Sequence, residues 1–163
     1  MKTYSIEIKD IFPLIEREVS RVAAASYSEE GGSLYDVIKI TSRDTQIIEE
    51  LIELRKVQLV KRLRFAKAIA TKIGAENDEE NSGYNFSLSL SDNFNAEDEA
   101  KTLILNYLVK GVLLDWCVKK GVATTMVSAE EVFQIEEDIL SFLRTPSYLK
   151  APLQPFGPRK SII

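Results

Sequence analysis

The chain is 163 residues long, 45% apolar, formally charged at -4, free of histidine, and holds one cysteine, Cys117. That is one ordinary domain with enough apolar residues for a single substantial core. A lone cysteine excludes an intramolecular disulfide, the missing histidine removes the commonest general base and metal ligand, and the acidic total argues against nucleic acid as a bulk partner.

The opening MKTYSIEIKD places Lys2, Glu7, Lys9 and Asp10 where a secretion signal needs an apolar core, so an uncleaved, soluble, intracellular chain is expected. Tyr4, Ile6 and Ile8 alternate with polar residues as in a half-buried strand. Asp10 is placed to cap a helix that tolerates Pro13 in its first turn and runs to the break at SEEGGS. The segment LYDVIKIT fits a short helix or an extended stretch equally well.

A long helix is expected from Thr41 or Ser42 to about Gly74, because Ile48, Ile52, Leu59, Leu63, Ala66, Ala70 and Ile73 recur at spacings of three and four. After the acidic AENDEENSG, Tyr84, Phe86, Leu88 and Leu90 alternate with Asn85, Ser87, Ser89 and Ser91, which predicts a strand over 84–91. That strand needs a partner, either residues 4–8 of the same chain or a neighbouring copy. Asn95 and Asp98 are candidate caps for a third long helix, apolar on nearly every side over 103–118 and so the most buried. Its apolar run is short for a membrane span and is interrupted by Asn106, Lys110 and Asp115. Gly111 within it suits the close approach of a neighbouring helix. The last helix begins at the capping box Ser128-Ala-Glu-Glu131, presents Val132, Ile135, Ile139 and Phe142, and ends before Pro146.

Four of the five prolines fall between Pro146 and Pro158, in YLKAPLQPFGPRKSII and the residues just before it. They favour an extended path, with Tyr148, Leu149, Leu153 and Phe156 as apolar anchors and Lys150, Arg159 and Lys160 as basic ones. The fold expected is therefore mainly α: residues 1–145 form a four-helix, bundle-like domain with a strand or hairpin insertion near 84–91, and residues 146–163 form an extended arm that docks on a partner.

No catalytic, metal or cofactor-binding constellation emerges. Cys117 follows Trp116 inside the most apolar helix and reads as a small buried hydrophobe rather than a nucleophile. DEENSG over 78–83 imitates the first half of a calcium loop, but Ser89 stands where a bidentate glutamate is required and a strand follows. Glu49 with Glu53, and Glu130 with Glu137, are pairs that exposed helices carry routinely. EGGS lacks the lysine of a phosphate loop.

Charge is unevenly placed: residues 55–72 hold seven Lys or Arg and no acid, and residues 76–99 hold eight acids and no base. The basic charges spread around their helix, so no compact stripe for DNA forms. Arg55 and Arg62 lie on the same side as Ile48, Ile52 and Leu59, so each calls for a carboxylate at a helix or subunit contact. Asp115, Glu16, Glu18 and acids of the 76–99 segment in a neighbouring subunit are the candidates. Arg55, Arg62, Tyr84, Phe86, Leu88 and Leu90 are accordingly the expected oligomer interface, where a neighbour could complete the sheet by strand addition.

SLYDVIKITSRDTQIIEELIELRKVQLVKRL, then a strand, then LILNYLVKGVLLDWC, a short final helix and an extended end, resembles in layout the small helical structural proteins encoded beside capsid and tail genes in tailed phages and prophages of Bacteroides-type hosts. Many of these are head-to-tail connector or neck proteins. The resemblance covers roughly residues 34–145 and implies a non-enzymatic virion component, made in the host cytoplasm, that forms a homo-oligomeric ring and contacts portal, connector or tail proteins. The residues themselves give no cofactor motif and no membrane span, and the acidic total and acidic loop argue against direct nucleic-acid binding, the third and weakest option. A head-to-tail ring joins unlike surfaces, which suits segregated charge. The alternative from another class is a cytoplasmic helical adaptor or regulatory binding protein, monomeric or dimeric.

Overall fold

A computed structural model describes residues 1–74, 83–123 and 126–144. Its elements, in order, are β1 (Lys2–Ile8), α1 (Ile11–Ala25), α2 (Tyr35–Ile38), α3 (Thr45–Arg62), a 3-10 turn (Leu63–Ala66), β2 (Ile69–Ile73), β3 (Gly83–Leu90), α4 (Glu97–Lys119) and α5 (Ala129–Arg144). The described chain is mostly helical with one small antiparallel sheet of order β1-β3-β2. The extended arm expected over 146–163 lies outside the described residues.

The two alternating segments pair with each other within one chain. Tyr4 faces Leu88, Ile6 faces Phe86 and Ile8 faces Tyr84, and all six side chains are buried. The intervening pairs, Thr3 with Ser89, Ser5 with Ser87 and Glu7 with Asn85, make the polar outer face. A side chain at Gly83 would strike the Ile8 carbonyl, so only glycine lets β3 begin this close to the end of β1.

The long helix expected to reach Gly74 ends instead at Arg62. Its last turn tightens into the 3-10 segment, Lys67 takes a left-handed conformation (φ 48), and Ile69–Ile73 reverse into β2. Ala66, Ala70 and Ile73 fit a helical period by coincidence, while Ile69, Thr71 and Ile73 are β-branched at alternate positions and pair with the free side of β3. Local pattern was ambiguous there, and the unpaired edge of β3 decided it.

Helix ends also differ from the sequence expectation. Asp10 precedes α1 as expected, but in a left-handed conformation (φ 58) with no side-chain cap bond. Asp44 accepts hydrogen bonds from the Thr41 amide at 2.9 Å and hydroxyl at 2.7 Å, holding residues 41–44 in a turn, so α3 starts at Thr45. Neither Asn95 nor Asp98 caps α4, which begins at Glu97 after Ala96; Glu97, Asp98 and Glu99 in its first turn complement the helix dipole instead. Ser128 does cap α5, its hydroxyl accepting from the Glu131 amide at 3.0 Å.

α4 is the central element, with ten buried residues from Ala100 to Cys117. Trp116 is fully buried, and its indole N–H donates to the Ile38 carbonyl at 2.6 Å, which fastens α2 to the core. Leu114 is only half-buried. Cys117 is buried, and burial pushes its thiol pKa up, which disfavours the thiolate.

Candidate functional site

Three polar features cluster on and around α3, and each follows from how its charges are distributed. The first is a seam with α4 and α5. Arg55 lies across Gly111, where an added Cβ would sit 2.9 Å from the arginine side chain, and this absence of a side chain lets the guanidinium reach Asp115. Arg55 donates to both carboxylate oxygens of Asp115, at 2.7 and 2.6 Å, in the two-pronged geometry that favours arginine over lysine. The two side chains are 14% and 24% exposed. Burial alone would lower the Arg55 pKa, but the hydrogen bonds and charge of Asp115 outweigh it and hold it raised.

Arg62 reaches Glu136 and Glu137 on α5, and Lys110 pairs with Glu131 at 3.0 Å. The Tyr107 ring lies beneath Arg55, 6.0 Å from centroid to guanidinium carbon. Its buried hydroxyl makes no hydrogen bond of ordinary geometry among the described residues, and burial raises its pKa. The seam has the character of a helix-to-helix clamp.

The second feature is an acidic cleft of ≈ 370 Å³, where Gln46, Glu49, Glu50 and Glu53 of α3 face Lys72 of β2 and Tyr84 of β3. The Tyr84 hydroxyl donates to Glu53 at 2.8 Å, and Lys56 pairs with the other Glu53 oxygen. Burial would raise the Glu53 pKa, but the hydrogen bonds from Lys56 and Tyr84, with the charges of Lys56 and Lys72, keep it below the usual carboxylate range. Burial and then the Glu53 carboxylate push the Tyr84 phenol upward.

The third is a groove of ≈ 440 Å³ between α3 and β2, lined by Lys56, Val57, Val60, Lys61, Ala68, Ile69 and Ala70. Lys61, and Arg64 and Lys67 just beyond it in sequence, make no ion pair among the described residues. Ile69 is 62% exposed.

Of the residues expected at an oligomer interface, Tyr84, Phe86, Leu88 and Leu90 lie in the chain's own core, at 6%, 0%, 0% and 3% exposure. Arg55 and Arg62 are paired within the chain, Arg55 with the anticipated Asp115 and Arg62 with α5. Glu18 pairs with Arg17 and Arg21 on its own helix. Of the docking-arm residues, Tyr148, Leu149, Leu153, Phe156, Arg159 and Lys160 all lie outside the described residues. The β2 groove escaped the sequence reading; the signal for it was the β-branched alternation at Ile69, Thr71 and Ile73.

Among the described residues no group of three or more histidine, cysteine or acidic side chains is arranged to hold a metal ion, and no helix is long and apolar enough to cross a membrane. The chain matches no family model, and no curated protein or solved structure is similar to it.

Proposed function

We propose that this chain is a structural component of a tailed-phage virion, a head-to-tail connector or neck protein whose helical, bundle-like body assembles with copies of itself into a ring. The observation that supports the reading most directly is the separation of unlike charge along α3. Glu49, Glu50 and Glu53 line the cleft beside Tyr84, while Lys61 near the other end of the helix, with Arg64 and Lys67 in the turn that follows, makes no ion pair among the described residues. A closed ring is built from two different surfaces of each subunit, and opposite charge selects and orients such a contact. In this reading the extended arm of one subunit, with Lys150, Arg159 and Lys160, reaches the acidic cleft of the next, while Tyr148, Leu149, Leu153 and Phe156 supply apolar anchorage. The seam formed by Arg55 and Arg62 ties α3 to α4 and α5 within each subunit.

The test is the mass of the full chain in solution, and beside it that of a chain lacking residues 147–163. The full chain should form a ring of many copies and be found in purified particles. The truncated chain should stay folded and helical but fail to assemble. A truncated chain that assembles normally would refute the role of the arm. A full chain that stays monomeric or dimeric and is absent from particles would return the reading to a helical adaptor.

A further inference from the structure

We infer that the free edge of β2, together with the groove between it and α3, is a strand-addition site for an extended acidic segment of a partner protein. The inference goes beyond the ring and holds whether or not one forms.

Among the described residues the three-stranded order leaves β2 paired on one side alone, so one row of its backbone donors and acceptors has no described strand opposite. Natural sheets blunt such an edge with proline, inward charge or a covering element. Here the edge reads Ile-Ala-Thr-Lys-Ile: Ile69, 62% exposed, and Thr71 suit pairing, while Lys72 on the core-facing side is an inward charge that disfavours a like copy and leaves a cation for a carboxylate of the occupant. Beneath the edge the core layer stops short. Val57 and Val60 of α3 and Ala68 and Ala70 of the β2 strand and its approach are all half-buried, and they floor the ≈ 440 Å³ groove. A fourth strand paired to β2 would set alternate side chains onto that floor and use the open backbone row at once.

Charge selects the occupant. The groove is lined by Lys56 and Lys61 and by no carboxylate. Lys56 is engaged by Glu53, whereas Lys61 and the neighbouring Lys67 have no ion-pair partner among the described residues. A segment alternating small apolar side chains with carboxylates satisfies floor, edge and rim together. A second β2 does not, because edge-to-edge pairing would bring the lysines of both copies together. A nucleic acid would use the lysines but leave the apolar floor and the peptide edge unmatched.

The full chain, isotopically labelled, is titrated with three probes: a blocked hexapeptide alternating valine and glutamate, its valine and lysine counterpart, and a short single-stranded oligonucleotide. The glutamate peptide should shift the amide signals of residues 57–61 and 69–73, slow hydrogen exchange along β2, and bind about tenfold more tightly than the lysine peptide. Added salt should weaken it. Changing Lys61→Glu and Lys67→Glu together should lower its affinity by about tenfold, with an unchanged circular dichroism spectrum. Equal binding of the two peptides, no slowing of exchange in β2, or preferential response to the oligonucleotide would each overturn the proposal. So would β2 protection that grows with protein concentration in the absence of peptide, which would assign the edge to a second copy.

Discussion

β1 and β2 flank the same central strand, yet only one of them is finished. Along β1, Tyr4, Ile6 and Ile8 are 6%, 3% and 0% exposed, and the alternate residues are polar and solvated. Its start is tied down as well: the Tyr4 hydroxyl donates to the carbonyls of Ser91 and Asp92 at 3.0 Å, and the Met1 amine pairs with Asp92 at 2.8 Å. β2 has the same partner, but Ala70 is half-buried, Lys72 is exposed on the core-facing side opposite Tyr84, and Ile69 is exposed on the outer face. Backbone pairing alone therefore does not make a strand part of the core. The fold is anchored where β1, β3 and α4 bury side chains together, and β2 adds no fully buried side chain to that layer.

The largest break of that comparison comes from its anchored side. Phe86 is fully buried between Ile6 and Ala70 in the register, and Phe86→Ala should cost about 3–5 kcal/mol, read from denaturant midpoints. Trp116→Ala should fall in the same range of about 3–5 kcal/mol and should release α2, since it also removes the bond to the Ile38 carbonyl. Leu114→Ala, at a half-buried position, should cost clearly less than either. A near-neutral Phe86→Ala would mean that the layer shared by β1, β3 and α4 does not anchor the fold.

The seam behind the sheet ranks next. Gly111→Ala drives a Cβ into the Arg55 side chain and should cost about 1–3 kcal/mol. The test of mechanism is a double-mutant cycle: in an Arg55→Ala background the glycine change should lose most of its effect, because the obstructing side chain is gone. Arg62→Ala should be milder and more salt-sensitive, since that arginine is 47% exposed against 14% for Arg55. Reversing both arginines would therefore damage folding through Arg55, which makes the pair a poor probe of assembly.

How much of this could be read from residues alone depends on whether a segment's pattern had one interpretation or two. The β1 and β3 alternation is unambiguous and each strand needs a partner, but pattern alone does not separate pairing within the chain from pairing with a neighbouring copy; the register within one chain does. Asp115 is one of several carboxylates that pattern offers to Arg55, beside Glu16 and Glu18, and Gly111 is legible as a place of close approach; that the two lie on the face of α4 turned to Arg55 is what selects Asp115. β2 was not, because Ala66, Ala70 and Ile73 satisfy a helical period while Ile69, Thr71 and Ile73 satisfy a strand, and only the vacant edge of β3 distinguishes them. Helix starts were misjudged for a related reason. Asn95, Asp98 and Ser42 are all capable caps, but a cap is chosen by the path of the preceding chain, which in residues 41–44 is a turn closed by Asp44.

A smaller effect lies at the end of β2 that borders the acidic cleft. Glu53 has a folded pKa below its ordinary value, so its contribution is present above the unfolded value and is lost as pH falls through the glutamate range toward the folded value. Tyr84 has a raised pKa, so its contribution is present below the ordinary phenol value of 10.0 and is lost as pH climbs beyond it. Glu53→Gln should flatten the acid limb of a stability-against-pH curve and Tyr84→Phe the alkaline limb. Unchanged limbs in both variants would mean that the Tyr84–Glu53 hydrogen bond does not couple β3 to α3.

The smallest expected effect is at the centre of the comparison. Ile69 pairs with Ser87 on the outer face and is 62% exposed, so Ile69→Thr removes little buried surface while keeping a β-branched side chain suited to a strand. Its stability should change by no more than about 0.5 kcal/mol. The corresponding change on the other edge, Ile6→Thr, places a hydroxyl in a fully packed layer and should cost several times as much. The two substitutions are chemically identical and sit in strands that flank the same β3, so their difference isolates what side-chain burial adds to backbone pairing. If Ile69→Thr proved as costly as Ile6→Thr, something would already cover the outer face of β2 in the isolated chain, and burial would not be what separates the two strands.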